Sequence, residues 1–380
     1  ALMGSLSGKR CADVWRLLPW SAAAAVSYML FCLNFREVEV ISGRYWFLGA
    51  TNVNVVGMSL AQIAILFFLF MFTPAASHKG EWRTFGCFVG YVLSLYLLVL
   101  TGSRSALLGL VVGCAVLGVL LLLRSEKGKL RYRRTANLAV TCCLSAVLCL
   151  TAPQLQQRVE LWRYDASHPA GPIEDIQPET PDTSVDPEQP GTPSEIDPEQ
   201  PEEPTPLPPT REETAEQLQE NTDSFWRRMN PFSAYWGKSA GRTEIWRILM
   251  EYSIKPHPLV GTGYGSAAGV LHAHGDSHSG AHNILIAVLA DLGWIGLLLL
   301  VVPLVRILRG LLRRKELVAL LPLGMIVTAL VNGIGEDIYT ERFLWLAVGL
   351  ALWLLNCTAS STSERTSDDE SPVCHPVSVQ

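Results

Sequence analysis

The chain has 380 residues, of which 49% are hydrophobic and only 17% charged, with a formal net charge of −5. Soluble proteins carry about 25% charged residues, so an ordinary soluble enzyme or binding module is excluded as a description of the whole chain. The small negative balance also gives no reason to expect a nucleic-acid partner.

A membrane-crossing helix needs about 20 mostly apolar residues. Runs at 17–35, 55–73, 84–100, 105–123, 136–152, 283–305, 317–332 and 343–356 meet or approach that length. They lack the alternation of strands, and only helices or closed barrels satisfy their backbone in lipid. The pattern predicts an all-α polytopic membrane protein of about eight transmembrane helices, with a long outer-face loop bearing short amphipathic helices. Lys9, Arg10 and Arg16 precede the first run, Lys79 and Arg83 follow the second, Arg124 to Arg134 follow the fourth, and Arg306 to Lys315 follow the sixth. By the positive-inside rule these loops and both termini are cytoplasmic. Segments 36–54, 101–104, 153–282 and 333–342 then face outside.

The expected organisation has membrane helices over 1–152 and 283–356 and a cytoplasmic disordered tail at 357–380. Residues 153–213 form an outer insertion in which "DPEQP" occurs at 186–190 and again at 197–201. Its Pro, Glu, Asp and Thr content is too poor in apolar groups to fold, so disorder is expected. None of the nine cysteines falls in the long outer loop, so no disulfide framework is expected there. The first span would serve as the signal, and a chain opening with Ala1 reads as a fragment or a processed form.

Residues 214–282 are different, being rich in Trp, Tyr and Arg. Ile245, Leu249 and Tyr252 share a helical face, and Arg247 and Glu251 pair at i,i+4 on another, which predicts a short amphipathic surface helix ended by Pro256 and Pro258. "GTGYG" at 261–265 reads as a turn, because a phosphate loop would need a preceding strand.

Three polar elements stand at expected helix starts on the outer side. Arg104 opens the fourth span, with Ser103 able to cap it; Arg242 stands just before the surface helix, with Thr243 as its expected cap; His282 and Asn283 open the sixth span. Helix N-termini favour anions, above all phosphates, and arginine adds a fixed bidentate fork. A helix N-terminus also disfavours an imidazolium, so His282 is expected to stay neutral and able to accept a proton. Each has a plainer reading: Arg104 as a snorkelling side chain, Arg242 as a solvated loop arginine, His282 as an interfacial hydrogen-bonding group. The i, i+4, i+8 spacing of His274, His278 and His282 raises a metal site, but Gly275 and Gly280 interrupt the run and Asp276 is its only carboxylate. No metal and no cofactor is expected.

In order and in residues, "LTGSRSALLGL" (100–110), "GRTEIW" (241–246), "HPLVGTGYGS" (257–266) and "HNILIAVLADLGWIGLLLL" (282–300) make the chain resemble the O-antigen ligase and O-antigen polymerase superfamily of bacterial membrane proteins. The resemblance spans roughly 40 to 356. It implies a metal-independent, inverting glycosyltransferase at the outer face of the cytoplasmic (inner) membrane. The donor would be a glycan on undecaprenyl diphosphate, and the acceptor a glycan or lipid core. It further implies that Arg104 and Arg242 hold the donor diphosphate and that His282 is the base. Asn283 and Ser103 are supporting candidates, and Glu336, Asp337 and Glu341 are acceptor-site candidates whose plainer reading is solvated surface charge. The family usually carries more spans ahead of this region, and often a second histidine where this chain has Gly280. Ligase and polymerase stay open as alternatives. A transporter or flippase of lipid-linked glycans is the reading from another class, and it would require charged or broken residues in mid-span.

Overall fold

The computed structural model describes residues 8–35, 39–41, 44–46, 52–72, 79–124, 129–167, 210–229 and 242–367. The core of the insertion at 168–209, the aromatic stretch 230–241 and the tail beyond 367 lie outside them.

The fold is helical and apolar: α1 (Gly8–Phe35), α2 (Val53–Phe72), α3 (Lys79–Leu100), α4 (Arg104–Leu123), α5 (Lys129–Ser167), α6 (Arg211–Met229), α7 (Arg242–Leu249), α8 (Ser266–Ala273), α9 (Ile284–Arg313), α10 (Leu320–Asn332) and α11 (Arg342–Ser367). Among the described residues six helices are long and apolar enough to cross a membrane, in α1 to α5 and α9; the apolar segments of α10 and α11 are shorter. One addition carries no signal in the sequence, an antiparallel hairpin of β1 (Glu39–Ile41) and β2 (Arg44–Trp46) in which Val40 faces Tyr45.

The centre is α2. Its run from Leu60 to Leu69 is almost wholly buried against α3, α4 and α10. Apolar helices gain little from burial against one another in lipid, so close approach must supply the attraction. At the α4–α10 crossing, Gly113 provides it: a Cβ there would collide with Thr328 Oγ1. Across the α2–α10 contact, Gln62 Nε2 donates to the carbonyl of Met325 (3.0 Å).

The two longest helices are α5 and α9. At 1.5 Å per residue, the 39 residues of α5 reach about 58 Å. Its far end carries α6, which runs back along it, with Gln157 Nε2 donating to Gln219 (3.2 Å) and Thr222 donating to Gln157 (3.4 Å). A reciprocal cap between Thr210 and Glu213 starts α6.

The other long helix, α9, is broken at Gly293 (φ 65°, ψ −166°). The segment before α8 packs into the break. Trp294 N donates to Pro258 O (2.9 Å), Ile295 N to Leu259 O (3.1 Å), Thr262 N to Ala290 O (2.9 Å) and Gly263 N to Asp291 O (2.9 Å). A Cβ on Gly293 would collide with the Leu259 backbone. Irregular backbone at such a place is tolerated when protein satisfies it. A break in a span is the feature a transporter would need; here it is filled by the 258–263 turn.

Asp291 anchors the same turn. It is 1% exposed. Its carboxylate accepts from Gly265 N (2.7 Å), Ala267 N (3.0 Å), Ser266 Oγ (3.3 Å) and Tyr339 OH. The "GTGYG" segment is therefore a turn, as expected, and a carboxylate from α9 caps the start of α8.

Candidate active site

Four helices begin around one short loop, residues 333–341, between α10 and α11. Asn54, in the first turn of α2, donates through Nδ2 to Glu336 Oε1. Ser105, at the start of α4, lies against Gly335, where an added Cβ would meet its Cβ at 3.1 Å. Arg242, the first residue of α7, donates through Nη2 to Gly335 O (3.2 Å). Asn283, the N-cap of α9, donates through Nδ2 to Ile334 O (3.2 Å), and Ile284 N donates to Gly333 O (2.8 Å). Each helix start presents backbone N–H groups and partial positive charge toward this loop, which itself carries Glu336, Asp337 and Glu341.

His282 lies at its centre in an uncommon conformation. Its φ of 50° makes it the single non-glycine residue with positive φ among the described residues. Such backbone costs about 1–3 kcal/mol and persists only where neighbours over-determine it. Those neighbours are visible. Asp337 accepts the Asn283 amide (2.9 Å) and the His282 amide. Trp246, on α7, donates through Nε1 to the carbonyl of Ala281 (2.8 Å). Gly280 is pressed against Asp337, whose Oδ2 would have to move to admit a Cβ there.

The imidazole Nδ1 of His282 faces Glu336 Oε2 at 3.5 Å. Glu336 is 8% exposed and is not a solvated surface charge. Its hydrogen bond and charge hold the imidazolium form of His282, raising its pKa above the usual histidine range; burial and Arg242 oppose this less strongly. The expectation of a neutral imidazole is corrected here, because a carboxylate at contact outweighs the diffuse positive end of a helix. Burial, the first cause, raises the Asp337 carboxyl, and burial together with the charge of Glu336 raises that of Glu341.

The other site candidates take specific places. Arg104 opens α4, half-buried, one residue before the Ser105 contact. Ser103 holds the N-cap position with extended backbone, but its hydroxyl makes no capping bond and is buried without a partner. Asn283 does not orient the imidazole. Its Oδ1 caps α9 by accepting from Leu285 N (2.9 Å) and Ile286 N (3.2 Å). Thr243 lies inside α7, which begins at Arg242, so it is not the cap. Ile245 and Leu249 are buried on one face as expected and Arg247 bonds Glu251 (3.0 Å), but Tyr252 is exposed. The cause is a π-helical turn, Met250–Ile254, whose extra residue rotates Ser253 and Ile254 inward in its stead.

The remaining histidines do not converge. His274 stacks on Tyr252 with ring centroids 3.8 Å apart, and His278 bonds Asp276 (2.5 Å) while its ring stands perpendicular to that of His282 at 5.8 Å. Among the described residues no group of three His, Cys, Asp or Glu could hold a metal ion.

Sequence reasoning missed Asn54, Arg44 and Asp291. Asn54 follows Asn52, which caps α2 by accepting the Asn54 amide (2.9 Å), so the "TNVN" before an apolar run was a readable helix start. A lone carboxylate in the apolar run "LADLGW" was the signal for Asp291.

A family model described as O-antigen ligase matches residues 89–301, just over half of the chain. No curated protein matches it. Arg104, Arg242, His282 and Asn283 lie inside the matched segment; Asn54, Glu336, Asp337 and Glu341 lie outside it.

Proposed function

The chain belongs to the O-antigen ligase family of bacterial membrane proteins, and from that premise we propose that it transfers a glycan from undecaprenyl diphosphate to a hydroxyl acceptor. The observation that carries the reading is the His282–Glu336 pair set beside Arg242 where four helices begin. Helix starts and arginine suit the diphosphate; a histidine backed by a carboxylate suits removal of a hydroxyl proton.

The acceptor oxygen attacks the anomeric carbon of the donor sugar. The bond from that carbon to the phosphate oxygen breaks, and undecaprenyl diphosphate leaves with the electron pair. The hydroxyl proton passes to Nε2 of His282, because Nδ1 faces Glu336. Glu336 stabilises the imidazolium so formed, and a placed base of this kind contributes about 10²–10⁴-fold. Arg104, Arg242 and the helix starts offset the charge that gathers on the diphosphate. Direct displacement at the anomeric carbon inverts it, and no step calls for a metal. Asp337 keeps the strained turn of His282, and Glu341 is left to meet the acceptor.

The eight apolar helices cross the cytoplasmic membrane in this reading, with the site on the outer face. Support comes from the opposite end of the bundle, where the basic residues gather: Arg124 donates to Leu312 O (3.1 Å) and Arg314 to Leu355 O (3.2 Å). By the positive-inside rule that end is cytoplasmic. Ligase and polymerase share every step above and differ in the acceptor alone.

The test separates grip from chemistry. Undecaprenyl diphosphate binding to vesicle-embedded protein should weaken roughly 10- to 150-fold in Arg104→Ala and in Arg242→Ala, the worth of about 1.5–3 kcal/mol for a charge-assisted bond. His282→Ala should bind as the parent does and transfer nothing. Arginine variants that bind normally would remove the diphosphate clamp from the account.

A further inference from the structure

Glu336 is held by more than His282. Asn54 Nδ2 donates to its Oε1, and Asn54 Oδ1 accepts from Arg44 Nη2 (2.5 Å). Arg44 Nε in turn donates to the carbonyl of Thr101 (2.8 Å), in the turn that leads into Arg104. Its stem crosses Gly102, whose φ is 60° and whose added Cβ would meet Arg44 Cγ at 3.1 Å. Residues from β2, α2, the α3–α4 turn and the α10–α11 loop are thereby joined in one line.

The line has a single polarity. A guanidinium only donates and an ionised carboxylate only accepts. Asn54, standing between them, must show its oxygen to Arg44 and its NH₂ to Glu336. An NH₂ group at Oε1 holds that oxygen in place and leaves Oε2 for His282. Asn54 is well placed to impose this. It sits in the capped first turn of α2, and three residues on Gly57 packs so tightly on the same turn that an added Cβ would meet Ser103 Cβ at 2.7 Å.

We propose that Arg44 and Asn54 form a positioning relay, which keeps Glu336 turned toward His282 and locks that pair to the turn carrying Arg104. Donor grip and base are then set by one hydrogen-bonded frame, so neither drifts relative to the other. Arg44 and Asn54 touch no reacting atom. The inference rests on His282 acting as the base, and three of its residues, Arg44, Asn54 and Glu336, lie outside the segment matched by the family model.

The readout is the protonation of His282 itself, which needs no acceptor. Diethyl pyrocarbonate modifies neutral imidazole, so the modification rate of His282 against pH, followed by peptide mass spectrometry on the full reconstituted chain, gives its midpoint. Glu336, Asp337, Arg242 and His278 all face or neighbour this ring, and Glu336→Gln calibrates the largest of their effects. Asn54→Ala and Asn54→Leu should lower the midpoint to an extent comparable with Glu336→Gln. Arg44→Ala should lower it less, and should add nothing to Asn54→Ala. An unmoved midpoint in either Asn54 variant, with Glu336→Gln displaced, overturns the relay; a merely structural role would reduce yield and leave the midpoint alone. Persistent glycan transfer by His282→Ala would instead sink the base assignment, whatever the midpoints do.

Discussion

Replacing Asp291 with Ala should loosen the site from a distance. The carboxylate is 1% exposed and serves two backbone amides, Gly265 and Ala267, and two hydroxyls, Ser266 and Tyr339. Ser266 keeps a second partner in Thr262 (2.6 Å). The two amides and the Tyr339 hydroxyl lose this acceptor, and each donor left unmet in a buried place costs about 1–3 kcal/mol. Water entering beside the turn, where Gly265 is exposed, offsets part of that, so a local loss of about 3 kcal/mol is expected. Hydrogen exchange of the 261–267 peptide reads it directly. A loss of about 3 kcal/mol accelerates exchange by opening roughly a hundredfold. Asp291→Asn returns one acceptor oxygen and should recover part of the protection. Unchanged exchange in Asp291→Ala would refute the view that this carboxylate pins the turn to the α9 break.

Three further outcomes are expected. Glu336 raises the folded pKa of His282, so the stability gained from that pair is complete below the ordinary histidine value and lost as pH rises through the folded one. The neutral base is populated above the folded value. Glu336→Gln should thus shift the acid limb of kcat/KM to lower pH and reduce the plateau, and a limb that stays or moves upward contradicts the pairing. Gly113→Val drives a side chain into Thr328 and should cost about 1–3 kcal/mol, seen as a lower thermal inactivation temperature. Gly86→Ala, which meets nothing within 4 Å, is the control and should not weaken the protein. Trp246→Phe removes the bond to Ala281 O and about 0.5–1.5 kcal/mol of hold on the His282 turn; it should slow transfer with donor affinity intact, and a change in affinity alone would count against that role.

Much of the scaffold was legible because lipid imposes a simple rule on sequence. Apolar runs of sufficient length must be helices, and six of the eight runs lie in helices long and apolar enough to cross a membrane; α5 and α11 also continue to Ser167 and Ser367, beyond the runs at 136–152 and 343–356 and into segments expected to be disordered. Arg104 stood out for the same reason, since little else interrupts the apolar pattern around it; Arg242 and His282 lie in a polar outer segment and stood out as residues at the starts of helices. The frame around them was not legible. Glu336 sits in a short acidic loop that reads as solvated charge, and its meaning comes from the return of that loop across four helix starts distant in sequence. Arg44 and Asn54 carry no spacing signal, being 282 residues or more from the glutamate they serve. The π-helical turn after α7 escaped for a different reason. Helical periodicity assumes a constant repeat, and one inserted residue moves Tyr252 out and Ile254 in.

The most direct measurement takes purified protein in vesicles, undecaprenyl diphosphate-linked glycan and candidate acceptors, and weighs every product with chelator present. One acceptor gaining one glycan for each undecaprenyl diphosphate released, with His282→Ala inactive yet still binding donor, is the result predicted. Equal transfer by His282→Ala, or glycan lipid that crosses the bilayer with its mass unchanged, would contradict it.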